Sequence, residues 1–190
     1  MTRWILLGVF AAAVLAQLGV PVSLIVKHER VLRNGTQHRF RCRPVDPADP
    51  FRGRYVVLSF TETSAPLGSC TNAVQGRKVF ATLAQYTDGS GYSHFTGVST
   101  ERPREGEYLA VCVQNIYGSN AALSLPFDRY FMEETMAPEA EAAYREALRS
   151  GNQESVYATV RVFKGEAVLE DLYIGETPLR EHLKKLPEKK

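Results

Sequence analysis

From Trp4 to Val26 the chain carries no formally charged residue. Few structures satisfy such a run. As an α-helix it reaches about 35 Å at 1.5 Å per residue, enough to cross a hydrocarbon core of roughly 30 Å. Pro21 is tolerable near one end of such a helix as a kink. Lys27, His28, Glu29 and Arg30 close the segment abruptly. Residues 1-33 are therefore predicted to be an N-terminal membrane anchor helix and its flank, with the membrane contacted through residues 4-26.

A cleaved signal peptide is the competing reading. Val14-Leu15-Ala16 resembles a small-residue cleavage site. Against it, the apolar run continues past Ala16 to Val26, interrupted only by Gln17 and Ser23. That favours a retained anchor. The charges around the span give an orientation by the positive-inside rule. Arg3 and the α-amine stand on one side; Lys27, Arg30 and Arg33, then Arg39, Arg41 and Arg43, stand on the other. Taken literally, they put the rest of the chain inside the cell. The rule weakens for long translocated domains.

The remaining chain is long enough for one domain with a real core. Hydrophobic residues make up 44% and charged residues 23%, both ordinary for a globular protein. The net charge of +2 gives no global case for a nucleic-acid partner. Cys42, Cys70 and Cys112 form no CxxC pair, and no histidine stands at ligand spacing from them. No zinc or other metal site is expected, and no cofactor. One disulfide with one free thiol would suit an oxidising compartment; small buried hydrophobes suit Cys42 and Cys112, which lie in apolar strand patterns. No GxSxG, HExxH or P-loop pattern occurs, and His28, His38, His94 and His182 are scattered. His94 is a residue type able to act as a general base, but a lone histidine in a strand is more often hydrogen-bonded or on the surface.

Periodicity predicts mostly strands. Phe40 and Cys42 alternate with Arg39, Arg41 and Arg43, which gives an apolar face and a row of arginines. The row suits a solvated or salt-bridged outer face; lipid headgroups are the alternative. Pro44-Val45-Asp46-Pro47-Ala48-Asp49-Pro50 excludes regular structure. Strands are predicted at Tyr55 to Phe60, Lys78 to Ala84, Tyr92 to Val98 and Glu107 to Val113, the last as a central strand. Val156 to Val162 and Ala167 to Ile174 read as a hairpin turning at Lys164-Gly165. Thr61 to Arg77 is expected to be an exposed, mobile loop. One helix begins near Pro138, burying Ala140, Ala143, Tyr144, Ala147 and Leu148, and stops at Gly151. Another is predicted with Thr177 as N-cap, Pro178 as first helical residue and Leu179, Leu183 and Leu186 inward. The expected class is β-rich (α+β): a transmembrane helix, then one mainly antiparallel β domain with two short helices over residues 36-186, and a basic tail at 187-190.

Gly53-Arg54-Tyr55-Val56-Val57-Leu58-Ser59-Phe60 resembles the signature of the GDYXXLXY family, bacterial membrane-anchored proteins named for that motif. Pro44-Val45-Asp46-Pro47 and Asp49-Pro50-Phe51-Arg52-Gly53 are similar to the family's lead-in. Phe127-Asp128-Arg129-Tyr130-Phe131 resembles its second landmark. Gly53, Tyr55 and Leu58 match the signature, while Arg54 stands for its Asp and Phe60 for its final Tyr. Chemistry that needs a carboxylate at Arg54 is thus denied to this chain. The resemblance implies an extracytoplasmic domain behind one inner (cytoplasmic) membrane span, and no known activity. Members often look like companions of multi-pass membrane proteins, so an accessory subunit is the first expectation.

Two readings of the motif follow. In the structural one, Gly53 permits a tight turn, Val56, Leu58 and Phe60 face the core, and Arg52 pairs with Asp46, Asp49 or Asp128. In the functional one, Asp46, Arg52, Arg54, Asp128, Arg129 and Tyr130 form a polar cluster for an anionic ligand or a partner's acidic loop. A binding module for a small anion or envelope component is the alternative function. A hydrolase with an unrecognised site is the third.

Overall fold

The computed structural model describes residues 2–44, 55–68, 70, 74–133, 135–149 and 156–185. The apolar run forms α1, a single helix over Thr2–Asn34 with Pro21 inside it. It is long and apolar enough to cross a membrane, and its Leu7–Asn34 portion leaves the apolar window uncovered by protein. The chain then turns into β1 (Thr36–Arg43), whose His38, Phe40 and Cys42 point inward while Arg39 and Arg43 are exposed.

The join between helix and sheet is tight. Val31 is 1% exposed. The Gly35 amide donates to the Val31 carbonyl at 2.8 Å, closing the last helical turn. A Cβ at Gly35 would collide with that carbonyl oxygen and stand 3.1 Å from Cβ of Arg161. Arg161 Nη1 donates to the Gly35 carbonyl at 3.2 Å. One turn and more earlier, Lys27 pairs with Glu166 at 2.7 Å.

Two antiparallel sheets carry the core. The first runs in the order β12-β11-β10-β1-β3, with β3 at Ser59–Phe60, β10 at Val156–Phe163, β11 at Glu166–Ile174 and β12 at Thr177–Pro178. The second runs β4-β8-β7-β5-β6, with β4 at Ser64–Pro66, β5 at Lys78–Gln85, β6 at Ser93–Ser99, β7 at Glu107–Tyr117 and β8 at Asn120–Ser124. β7 is central in its sheet, and its Leu109, Val111 and Val113 are buried in strand alternation. The β10–β11 hairpin turns through Lys164 (φ 52°) and Gly165 (φ 88°), the two left-handed positions of a type I′ turn.

Phe40 is the centre of the core. Its ring lies 5.9 Å from Phe95 of the second sheet, 6.1 Å from Phe60 and 5.3 Å from Phe127. The sheets also meet at their margins, where the Ala110 amide donates to the Gly165 carbonyl at 2.9 Å. α2 (Ala137–Arg149) buries Ala140, Tyr144 and Leu148 and packs on α3 (Leu179–Lys185).

The β-rich class with mainly antiparallel sheets and an apolar N-terminal helix stands as predicted. Three elements differ. Tyr55 to Phe60 is not one strand: β2 (Tyr55–Val57) and β3 separate at Leu58 and pair with different partners. Leu58 donates its amide to the Asp128 carbonyl at 2.8 Å instead, which diverts the chain between sheets. Thr177 and Pro178 are a strand, not a cap and first turn, because they pair with Ile174 and Tyr173. The Thr61 to Arg77 segment contains edge strand β4, with Ala65 buried against β8. Gly151 and Leu186 lie outside the described residues.

Candidate functional site

The two sequence motifs meet in space. β2 pairs antiparallel with β9 (Arg129–Phe131): Tyr55 opposite Phe131, Val56 opposite Tyr130, Val57 opposite Arg129. This two-stranded ribbon belongs to neither large sheet. Strand alternation divides its side chains. Val56 and Tyr130 go inward, and Phe131 and Arg129 go outward.

The inward side is a polar anchor. Tyr130 is 3% exposed. Its hydroxyl donates to Asp171 Oδ1 at 2.7 Å and accepts from Arg180 Nε at 3.0 Å. Burial, reinforced by the Asp171 carboxylate, pushes the phenol above its ordinary range, so it stays protonated and can donate. The Arg180 guanidinium also lies over the Tyr130 ring at 5.7 Å. The ribbon is thereby tied to β11 and α3. The outward side is aromatic and cationic. Phe131 is 63% exposed, its ring 5.6 Å from Tyr55. The Arg129 guanidinium lies 5.3 Å from the Tyr55 ring and 3.7 Å from Asp128.

Of the residues expected to cluster, Asp128, Arg129 and Tyr130 are thus placed, with Tyr130 facing away from the other two. Tyr55 and Leu58 lie beside them. Asp46, Asp49, Arg52, Gly53 and Arg54 lie outside the described residues, as does any pairing of Arg52. Asp171 and Arg180 were missed by sequence reasoning. They are 41 and 50 residues from Tyr130, and no local pattern links them.

A second constellation was also missed. His38 Nδ1 and Ser93 Oγ are 2.8 Å apart, and His38 Nε2 bonds Glu107 Oε2. Ser93 is 0% exposed and His38 3%. Serine, histidine and carboxylate in line suggest nucleophilic chemistry, but here the hydroxyl is sealed from solvent. The trio acts as a polar pin between β1 of the first sheet and β6 and β7 of the second. One signal was legible: His38 shares the inward phase of Phe40 and Cys42, and Ser93 that of Phe95.

The arginine row of β1 is engaged by protein. Arg41 Nε bonds Glu62 Oε1 at 2.9 Å, and its guanidinium lies 5.0 Å from the Tyr92 ring and 5.5 Å from Tyr86. Arg39 lies over Tyr157 at 5.3 Å, and Arg43 donates to Ser59 Oγ at 2.7 Å. His94 stacks on Tyr86 at 4.2 Å. Cys42, Cys70 and Cys112 are free thiols, with Cys42 buried and Cys112 only partly so. Burial pushes the Cys42 thiol up to about 12, against a hydrogen bond with Tyr144 that pulls it back. Among the described residues no group of three or more His, Cys, Asp or Glu side chains is arranged to hold a metal ion.

No curated protein and no solved structure gave a significant match to the chain. A family model described as GDYXXLXY protein matches residues 17–172. That match spans the exit of the helix, both motifs and most of the closing hairpin, and the chain belongs to the GDYXXLXY family.

Proposed function

We propose that this chain is a non-enzymatic accessory protein, anchored in the inner membrane by α1 with its β-rich part on the extracytoplasmic side, and that the outer side of the β2–β9 ribbon docks on a multi-pass membrane protein. One observation carries the reading. The family's two motifs pair with each other, and the ribbon they form is fastened on one side and exposes Phe131 and Arg129 on the other, with a half-buried Tyr55 between them. Aromatic and arginine side chains are the residue types that dominate protein interfaces. Phe131 faces solvent with its ring beside Tyr55, and Arg129 lies over the same tyrosine, a combination suited to an interface. An anion-binding module is favoured less, because the Asp128 carboxylate stands 3.7 Å from Arg129 Nε as a counter-charge to any bound anion.

The test is co-purification from native membranes in mild detergent, comparing the native chain with an Arg129→Ala, Phe131→Ala double variant. Both side chains are exposed, so the variant should melt within a degree or so of the native chain, as surface changes usually cost under about 0.5 kcal/mol. A multi-pass protein that elutes with the native chain and is lost with the variant is the expected result. Equal recovery with both would remove the ribbon from the contact. No partner even after cross-linking in cells would end the accessory reading.

A further inference from the structure

We infer that the tip of the β10–β11 hairpin, Phe163 with Lys164, rests in the phospholipid headgroup layer as a second membrane contact beside the span. The inference rests on α1 crossing the bilayer.

Position is the first reason. Lys27 is the residue immediately after the apolar run. Its ammonium is held by Glu166 at 2.7 Å. A headgroup layer is about 5–7 Å thick on each side, about the reach of a lysine side chain. Glu166, the first residue after the turn, therefore stands at or within that layer. Further from the membrane, Arg161 and Gly35 touch. The hairpin thus runs back along the helix toward the bilayer, turn foremost.

Rigidity is the second. Three contacts clamp the tip. The Gly165 carbonyl accepts the Ala110 amide, and Arg102 Nη2 donates to the Lys164 carbonyl at 2.8 Å. Gly165 also packs so closely on Tyr108 that a Cβ there would stand 2.7 Å from the ring. A tip held this way cannot fold away from the membrane plane.

Chemistry is the third. The Lys164 ammonium lies 5.3 Å over the Phe163 ring. Lysine occupies a left-handed turn position that asparagine or glycine would fill with less strain. A ring with a cation above it suits the interface, where aromatic rings sit at headgroup level and ammonium groups meet lipid phosphate. Arg102 and Arg104 lie on the neighbouring exposed loop, together with Glu101 and Glu105. Those acids temper the local charge, so the contact falls to the phosphate that all phospholipids carry rather than to anionic lipid alone. The arginine row of β1, the earlier candidate for lipid, is instead occupied by Glu62, Ser59 and tyrosine rings.

Full-length protein in vesicles of phosphatidylcholine with phosphatidylglycerol tests this. Tryptophan fluorescence is read with lipids brominated on the acyl chain close to the headgroup. The native chain has one tryptophan, Trp4, which reports the span. In a Trp4→Phe background, Phe163→Trp reports the tip. Tyr117→Trp reports the far end of β7, about 27 Å from Leu109 at 3.4 Å per residue. Melts matching the native chain certify each fold. The expected result is quenching and a blue shift at position 163, none at 117, and less quenching at 163 when Lys164→Asn is added. Quenching of Trp4 with position 163 as bright as 117 overturns the hairpin contact and leaves the span standing. An unquenched Trp4 overturns the span, and the inference with it.

Discussion

Glu170 shows how one residue is set by its place in a sheet. β10 and β11 slip register between Thr159 and Val160, and Glu170 falls at the slip. An extra residue at a bulge re-aims its side chain. Glu170 consequently accepts from Gln37 Nε2 at 2.6 Å and Arg161 Nε at 3.0 Å. Burial opposes ionisation, but Arg161 and Gln37 outweigh it and hold the carboxyl below its ordinary 4.5. A carboxylate whose folded value is depressed adds stability above its unfolded value and loses it as pH falls through the folded one. Glu170→Gln should therefore lower the melting temperature at neutral pH. The gap from the native chain should shrink as pH falls below 4.5. Melts across that window check this; a gap that stays constant would mean the carboxylate charge is not the source.

At the level of elements, the helix–sheet join is the feature most sensitive to one atom. Gly35 stands where α1 becomes β1, and any side chain there meets the Val31 carbonyl and Arg161. Overpacking against backbone that cannot give usually costs about 1–3 kcal/mol. Gly35→Ala should destabilise the chain by that amount in denaturant unfolding of the detergent-solubilised protein. A variant as stable as native would show that the join relaxes freely, and would weaken the rigid placement of the hairpin beside α1. The apolar helix, β1, β5, β7 and the β10–β11 hairpin were legible from period and turn residues. The Leu58 break was not, because Tyr55 to Phe60 alternates without interruption. Only the competing demands of β9 and β1 for partners split it.

For the whole molecule, the two sheets are joined by the Phe40 cluster and by the His38 pin. The pin is testable apart from the apolar core. His38→Leu leaves the buried Ser93 hydroxyl without this partner, and a buried polar group so stranded costs about 1–3 kcal/mol. Adding Ser93→Ala should restore part of that loss, since removing both partners is milder than removing one. Equal unfolding free energies for the native chain and His38→Leu would show that the sheets do not depend on the pin.

Local rules acting on neighbouring residues were enough to determine the apolar helix, the strand phases, the Lys164-Gly165 turn and the inward face of α2. Each depends on side-chain period or backbone preference within a few positions. The motif residues were also visible as strings. Their meaning was not, because strand pairing and hydrogen bonding at long range carry no local signature. Only the tertiary structure set β2 against β9, turned Tyr130 inward to Asp171 and Arg180 while leaving Phe131 outside, and closed His38 on Ser93 and Glu107. Such contacts are selected by the geometry of the whole core, where each buried polar atom must find a partner that the chain brings from far away.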